Sequence, residues 1–170
     1  HPVAAIASLA VADFDGDGHP DVISQDRDGF TVCLFRGVGD GSLLPPECQQ
    51  LADSSTVIAA LTIPFGPAIL LRAKSEVSRW KLGSGGRFSL IDKSPLPQNA
   101  SSQGLTVADV DGDGRLDVLV TTTGPQPVSV LISTETGFRG AGRYVLPAVP
   151  SALLYQDVDG DHHPELAMLL

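Results

Sequence analysis

Apolar and polar residues follow one another along the chain in short blocks, without the period of a helix. Among the first fifty residues, apolar runs at 5–11 and 22–23 flank an acidic segment, and a run at 30–35 alternates more regularly before a glycine turn at 39–41. Runs of this length that end at Gly, Pro or Asp are typical of buried strands. No segment combines helical periodicity with helix caps. The pattern therefore predicts an all-β fold of short antiparallel strands.

The same order of runs returns along the rest of the chain. In each later repeat one apolar run precedes a segment that keeps a fixed place in the repeat, and a second run follows that segment directly. In the two repeats that continue further, a third run and a weaker fourth come later. The later first strands are predicted at 57–61, 105–108 and 153–155, the second at 69–71, 118–120 and 166–170, the third at 77–82 and 128–132, and the fourth at 88–91 and 144–146.

The fixed segment carries an acidic motif. The pattern Asp-x-Asp-Gly-Asp-Gly-x-x-Asp occurs twice and a near-copy occurs once, beginning at Asp13, Asp109 and Asp157, which lie 96 and 48 residues apart. A 48-residue period puts a further copy at Leu61, where the apolar frame continues but the acids are gone. We interpret this stretch as a repeat that kept its strands and lost its metal loop.

Four short antiparallel strands in each repeat of about 48 residues predict the blades of a β-propeller. A parallel β-helix or other solenoid is the alternative, although its repeats are usually shorter. A single sandwich would not repeat its turns at a fixed period. The chain then holds about three and a half repeats: a blade with a metal loop at 1–48, a degenerate blade at 49–96, a blade with a metal loop at 97–144, and the first half of a blade at 145–170.

The motif suits a cation. Acids at its first, third and fifth positions converge in a tight loop, and glycines at the fourth and sixth positions allow positive φ. Several carboxylate oxygens in a flexible loop suit Ca²⁺, whereas Mg²⁺ requires a tighter octahedron. A solvated Asp-Gly turn is the alternative, but three copies in one frame disfavour it. The predicted acidic ligands are Asp13, Asp15, Asp17, Asp21, Asp109, Asp111, Asp113, Asp117, Asp157, Asp159, Asp161 and Glu165.

Calcium is thus the predicted cofactor, with two sites and a weaker third. In the third copy His162 replaces a glycine that the turn prefers, and Glu165 is one methylene longer than Asp. An EF-hand also begins with this spacing, but it needs a Glu at position 12 and flanking helices. That position holds Ser24, Val120 and Met168, and the predicted flanks of the loops are strands, so we reject the EF-hand.

The negative charge of the chain disfavours two classes of binding partner. A net charge of -9 argues against nucleic acid and anionic membranes, which bind basic patches. Twelve of the twenty acids lie in the three motifs, so bound metal would offset part of this charge. No apolar run is long enough to insert into a membrane. Since the chain begins with His1 and shows no signal peptide, we expect a processed product or a fragment.

Two cysteines, Cys33 and Cys48, match no zinc pattern. We favour two unpaired thiols, and the alternative is a disulfide in an oxidising compartment. Asn99-Ala100-Ser101 is a glycosylation sequon of a kind that also occurs by chance.

Residues 11–23 (VADFDGDGHPDVI) and 107–119 (VADVDGDGRLDVL) resemble the FG-GAP/VCBS repeats of integrin-α-like β-propellers. The resemblance implies that each loop joins the first two strands of a blade and binds Ca²⁺ through its four acids and the backbone carbonyls of His19, Arg115 and His163. It also implies a secreted or cell-surface protein of adhesion, carbohydrate binding or protein docking. Such propellers usually have seven blades, so we expect the rest of a propeller, from a longer chain or another chain.

Two functions follow as hypotheses. The first is an extracellular calcium-binding propeller that recognises a protein or glycan, with the metal structural. The second is a non-catalytic or substrate-binding propeller part of a larger secreted enzyme. The chain itself is predicted not to be an enzyme: the glycines of 83–86 are interpreted as a hairpin turn, His162-His163 as an exposed loop pair, and Trp80 as packing more than sugar stacking.

Overall fold

The computed structural model describes residues 6–63, 66–98, 100–123, 127–145, 148, 150, 152–159 and 165–169. Asn99 of the sequon lies outside this part of the chain. The described residues form strands and turns, and none of them forms a helix long and apolar enough to cross a membrane. The strands are β1 (Ile6–Ala12), β2 (Asp21–Asp26), β3 (Thr31–Phe35), β4 (Glu47–Gln50), β5 (Thr56–Ile63), β6 (Gly66–Arg72), β7 (Glu76–Leu82), β8 (Phe88–Pro95), β9 (Ala100–Ala108), β10 (Asp117–Thr122), β11 (Val128–Thr134), β12 (Gly137–Tyr144), β13 (Ala152–Gln156) and β14 (Glu165–Leu169).

The strands build three four-stranded sheets and one two-stranded sheet. Their orders are β1-β2-β3-β4, β5-β6-β7-β8, β9-β10-β11-β12 and β13-β14, so each strand pairs with its neighbour in sequence. Every strand pair whose register is described is antiparallel. This up-and-down order is that of propeller blades. The predicted all-β fold of four-stranded blades is confirmed, and the domain boundaries near 48, 96 and 144 stay a prediction.

The first hairpin of every sheet keeps one register at the 48-residue period. Each pairs the residue before the motif with the residue at its ninth position. The pairs are Ala12 with Asp21, Ala60 with Ile69, Ala108 with Asp117, and Gln156 with Glu165. The period read from the acidic motif is therefore a period of strand pairing.

The second sheet explains how a repeat loses its loop. Beyond the pair of Ala60 and Ile69, pairing continues through Leu61 and Ala68 to Ile63 and Gly66. In the first sheet, pairing stops at Ala12 and Asp21, and the eight residues between them form the loop. The same length of chain thus forms longer strands when its acids are replaced by apolar residues. The register of β5 and β6 agrees with the interpretation of this stretch as a repeat without a metal loop, which stays a prediction.

The fourth strands were predicted less well. In the third sheet we expected the fourth strand at 144–146, but β12 occupies Gly137–Tyr144, and Leu146 lies outside the described residues. In the first sheet β4 matches no predicted strand. Both are edge strands with mostly exposed residues, so they lack the apolar runs from which a buried strand is recognised.

The chain divides into two compact units, His1–Lys93 and Ser94–Leu170. In the first unit, the core includes Phe14, Ile23, Leu34 and Ile69, and the rings of Phe14 and Phe88 meet edge to face. In the second unit, Leu119, Val130 and Ile132 pack with Ala108. These residues come mainly from the second and third strands of each sheet, which agrees with their near-continuous apolar runs.

A disulfide joins Cys33 in β3 to Cys48 in β4. The two residues are directly opposite in the register of the sheet, and their Cα atoms lie 4.1 Å apart. Our preference for unpaired thiols was wrong. Its cause was the unrecognised β4, because without that strand nothing in the sequence brings Cys48 beside Cys33.

Removing the disulfide should destabilise the first unit. Its cysteines are 15 residues apart, and closing a loop of this size reduces the entropy of the unfolded chain by an amount worth about 3 kcal/mol. A variant with Cys33→Ser and Cys48→Ser should show this loss of unfolding free energy in urea. Reductant should then destabilise the wild type but not the variant. Equal stability of the two proteins under oxidising conditions would contradict the prediction.

Candidate metal centres

The first acidic loop connects β1 to β2 and gathers three carboxylates. Single oxygens of Asp13, Asp15 and Asp17 all lie within 4.8 Å of one another. Gly16 and Gly18 have φ of 81° and 88°, the left-handed region that favours glycine. Their backbone N–H groups donate to Asp13, to Oδ1 at 2.7 Å and to Oδ2 at 2.9 Å. The loop therefore curls around its first acid.

The ninth position holds an acid of a different kind. Asp21 begins β2 and is fully buried. Its Oδ2 accepts the N–H of Phe14 at 2.8 Å, and its Oδ1 accepts the N–H of Gly37 at 2.9 Å. Gly37 follows β3, so this one carboxylate connects the loop to the segment directly after β3 through hydrogen bonds. The sequence predicts Asp21 as a ligand; the geometry adds that it supports the backbone.

The loop between β9 and β10 repeats this construction. Gly112 and Gly114 donate to Asp109 at 2.8 Å each, with φ of 75° and 83°. Buried Asp117 accepts the N–H groups of Val110 at 2.8 Å and of Ser133 at 2.7 Å. Here the three carboxylates whose oxygens lie within 4.8 Å of one another belong to Asp109, Asp111 and Asp117.

The carboxylates of this loop repel one another. Burial raises the pKa of Asp117 above its ordinary value, and the nearby charges of Asp111 and Asp113 raise it further, against the lowering effect of the two backbone hydrogen bonds. A cation among these groups would reverse that balance. The donor set thus favours an ion that brings positive charge.

The third cluster lies between β13 and β14. Oxygens of Asp157, Asp159 and Glu165 lie within 4.8 Å of one another, and Glu165 Oε2 accepts the N–H of Val158 at 2.9 Å. Glu165 therefore takes over the backbone contact that Asp21 and Asp117 make. The predicted ligands Asp161 and His163 lie outside the described residues, as does His162.

The seventh-position residues of the two complete loops make the same backbone hydrogen bond. The N–H of His19 donates to Asp17, and the N–H of Arg115 donates to Asp113, each at 2.8 Å. Arg115 also forms an ion pair with Asp113 through its side chain. Its role as a carbonyl ligand, like that of His19, stays a prediction.

Carboxylate oxygens dominate all three clusters, which is the chemistry that a hard divalent cation requires. The clusters could therefore hold metal ions. They share the hairpin position, the hydrogen bond from the loop to the ninth-position acid, and partial exposure to solvent. In the second sheet the residue at the ninth position is the buried Ile69 instead of an acid.

One contact of the first loop was not predicted. Arg36, directly after β3, forms an ion pair with Asp15, with 3.0 Å between Nε and Oδ2, and a second with Glu47 at the start of β4. Asp15 and Arg36 are 21 residues apart, so neither motif spacing nor strand periodicity could have revealed the contact.

Two other predicted groups have structural positions. The glycine-rich segment at 83–86 is a turn between β7 and β8, in which Gly83 N–H donates to the carbonyl of Arg87 at 2.8 Å. Trp80 is partly buried against the core of the first unit, and its indole N–H donates to Ser78 Oγ at 2.9 Å. Both observations agree with the structural interpretation of these residues.

Comparison with known proteins identifies the repeats. A model of the FG-GAP repeat matches residues 5–24, and a model of the FG-GAP-like repeat matches residues 68–120. The first match ends within β2, after the first acidic loop, and the second runs from β6 through the second loop. No curated protein matches the chain.

Solved structures share the fold. The crystal structure of BBS1N in complex with ARL6DN, soaked with mercury, matches with a TM-score of 0.64 and 17% identity over 99% of this chain and 49% of that chain. The crystal structure of the same complex soaked with lead matches with a TM-score of 0.62 and 18% identity over 99% and 50%. The chain spans about half the length of these relatives, and at such identity the likeness shows the fold alone.

The matched repeat models agree with the geometry of the hairpins. Acidic loops follow β1 and β9 at the positions that the motif predicts, and each loop connects the first two strands of a four-stranded antiparallel sheet. The chain accordingly contains an FG-GAP repeat at 5–24 and an FG-GAP-like repeat at 68–120, repeats of the integrin-α-like propeller blade family.

Proposed function

We propose that the chain is a calcium-binding extracellular propeller module that recognises a protein or a glycan, and that the metal is structural. The observation that carries the calcium part is the matched pair of loops at 13–21 and 109–117. In each, three carboxylates converge and two positive-φ glycines donate to the first acid. Flexible coordination by several carboxylates is characteristic of Ca²⁺ sites.

The position of the loops supports a structural role for the metal. Asp21 connects its loop to Gly37 beyond β3, and Asp117 connects its loop to Ser133 in β11. An ion bound by either loop would fix the carboxylates between a hairpin and its neighbouring strand. That arrangement stabilises a blade and needs no reacting group.

The proposal of an extracellular location rests on the disulfide. Bonds such as Cys33–Cys48 form and persist in oxidising compartments, which include the secretory pathway and the cell surface. Millimolar calcium in such surroundings would also fill sites of the modest affinity typical of extracellular modules.

The partner is proposed as a protein or a glycan, together with the remaining blades of a propeller. Exposed apolar side chains on β1, such as Leu9 and Val11, support the proposal of further blades, because a propeller blade packs its faces against neighbouring blades. Nothing in the described part of the chain favours the alternative of a piece of a larger secreted enzyme. A glycan array and pull-down with extracellular matrix proteins, with and without calcium, would test the recognition role.

Metal stoichiometry tests the calcium sites. Asp15→Ala and Asp111→Ala should each reduce the calcium content measured by calorimetry and elemental analysis by one ion per chain. Asp28→Ala is the matched control, because Asp28 is an exposed acid outside the loops and should leave the content unchanged. Calcium content that does not respond to either loop substitution would contradict the proposed sites.

A further inference from the structure

Arg36 is a cation from outside the loop at 13–21 that contacts one of the predicted calcium ligands, Asp15. Its Nε lies 3.0 Å from Asp15 Oδ2, and its guanidinium also pairs with Glu47. The side chains of Arg36 and Asp15 are each only 26% exposed, whereas that of Glu47 is 50% exposed. The ion pair on the metal-loop side is therefore the less hydrated of the two.

Several neighbours fix Arg36 in this place. Hydrogen bonding to Glu47 raises the pKa of Arg36, and the charges of Glu47, Asp15 and Asp21 raise it further, so the group stays charged. Gly86, in the turn between β7 and β8, lies close against the pair: a side chain there would overlap Glu47 Oε2. Arg36 is thus held between the loop and an adjoining turn of the same unit.

We propose that Arg36 is a built-in counterion of the loop at 13–21, which lowers the calcium affinity of this loop and stabilises it when calcium is removed. This inference rests on the proposed calcium function. A divalent ion in the loop would share the Asp15 carboxylate with the guanidinium, and the two cations repel one another. For partly exposed groups at this separation we expect an effect of about tenfold on the dissociation constant.

The second complete loop provides an internal reference. Gly37 and Ser133 make the same hydrogen bond to Asp21 and Asp117, so the residue equivalent to Arg36 is Ile132. Ile132 is buried and apolar, and no cation reaches the second loop from that position. The arginine of that loop, Arg115, belongs to the loop itself and pairs with Asp113, a different acid.

Substitution of Glu47 should change the calcium affinity of the first loop in the direction opposite to substitution of Arg36. It shares Arg36 with Asp15, so it draws positive charge away from the metal loop. Arg36→Met, which keeps the aliphatic stem, should strengthen calcium binding at 13–21 about tenfold. Glu47→Gln should weaken it several-fold, because the whole guanidinium charge then faces Asp15. In the Arg36→Met background, Glu47→Gln should have little effect.

Site-resolved titration distinguishes the loops in one sample. With ¹⁵N-glycine labelling, the amides of Gly16 and Gly18 report the first loop, and those of Gly112 and Gly114 report the second. Calcium is added to the full chain, and a dissociation constant is obtained for each loop. Arg36→Met should change the first constant and leave the second unchanged, and Arg36→Lys should stay near the wild-type value since it keeps the charge.

The outcomes separate the two proposals. If calcium moves none of the four glycine amides of the wild type, the calcium function fails. If calcium binds but Arg36→Met leaves the first-loop constant unchanged or weakens it, the counterion role is overturned and the calcium function stands. In EDTA, Arg36→Met should also lower the melting temperature relative to wild type, and an equal melting temperature would contradict the stabilising part.

Discussion

Asp117→Ala should lower the unfolding free energy of the second unit by about 3 kcal/mol, even with no calcium present. The substitution removes the acceptor of two backbone N–H groups, those of Val110 and Ser133, and an unsatisfied buried donor costs about 1–3 kcal/mol. Relief of the desolvated charge offsets part of this loss, because burial already disfavours the ionised carboxylate. Denaturant unfolding in EDTA measures the effect without any contribution from metal.

Asp117→Asn is the matched control for this experiment. Its amide keeps one acceptor oxygen and turns a donor toward the second N–H, so we expect roughly half of the alanine effect. Asp113→Ala, at an acid of the same loop whose side chain is partly exposed, should change stability in EDTA much less. If Asp117→Ala costs no more than Asp113→Ala, the ninth-position acid does not support the backbone as described.

Removing calcium should lower the melting temperature by about 10–20 °C. An ion present at a hundred times its dissociation constant stabilises its folded unit by about 2.7 kcal/mol, and each of the two units holds one complete loop. For units of this size, each kcal/mol corresponds to roughly 4–8 °C. Calorimetric melts with calcium and with EDTA measure the shift.

Magnesium is the control for the identity of the ion. It requires a stricter octahedron and keeps its waters, so adding it back after EDTA should restore much less stability than calcium does. The variant with both Asp15→Ala and Asp111→Ala should lose most of the EDTA effect. An EDTA-insensitive melt, together with no metal in elemental analysis, would refute the calcium interpretation.

The second strands of the second and third sheets could be predicted because successive residues of each are buried. Residues 118–120 and 69–71 are apolar without interruption, and the structure places them in β10 and β6. The acidic loops could be predicted because their spacing is local: the glycines and acids of a nine-residue segment determine its turn. The 48-residue period allowed one prediction beyond local sequence, because it placed a repeat at a stretch that lacks the acidic motif.

Contacts between distant segments could not be predicted in this way. β4 and β12 are exposed edge strands, so they leave little apolar signal, and the pairing of Cys33 with Cys48 depended on β4. The Arg36 ion pairs depend on where β3 ends relative to the loop, which is a property of the folded sheet. The backbone role of Asp21 was missed because its partner Gly37 lies on the far side of β3.

The common register of the hairpins has a consequence for how such chains change over time. Ala60 pairs with Ile69 as Ala12 pairs with Asp21, and the residues between them extend the strands where the first blade has a loop. A blade can therefore gain or lose its acidic loop by point substitutions alone, with no insertion or deletion to disturb its neighbours. On the proposed calcium function, dependence on the ion is then a trait that mutation can set separately in each blade, while the strand register of the array is unchanged.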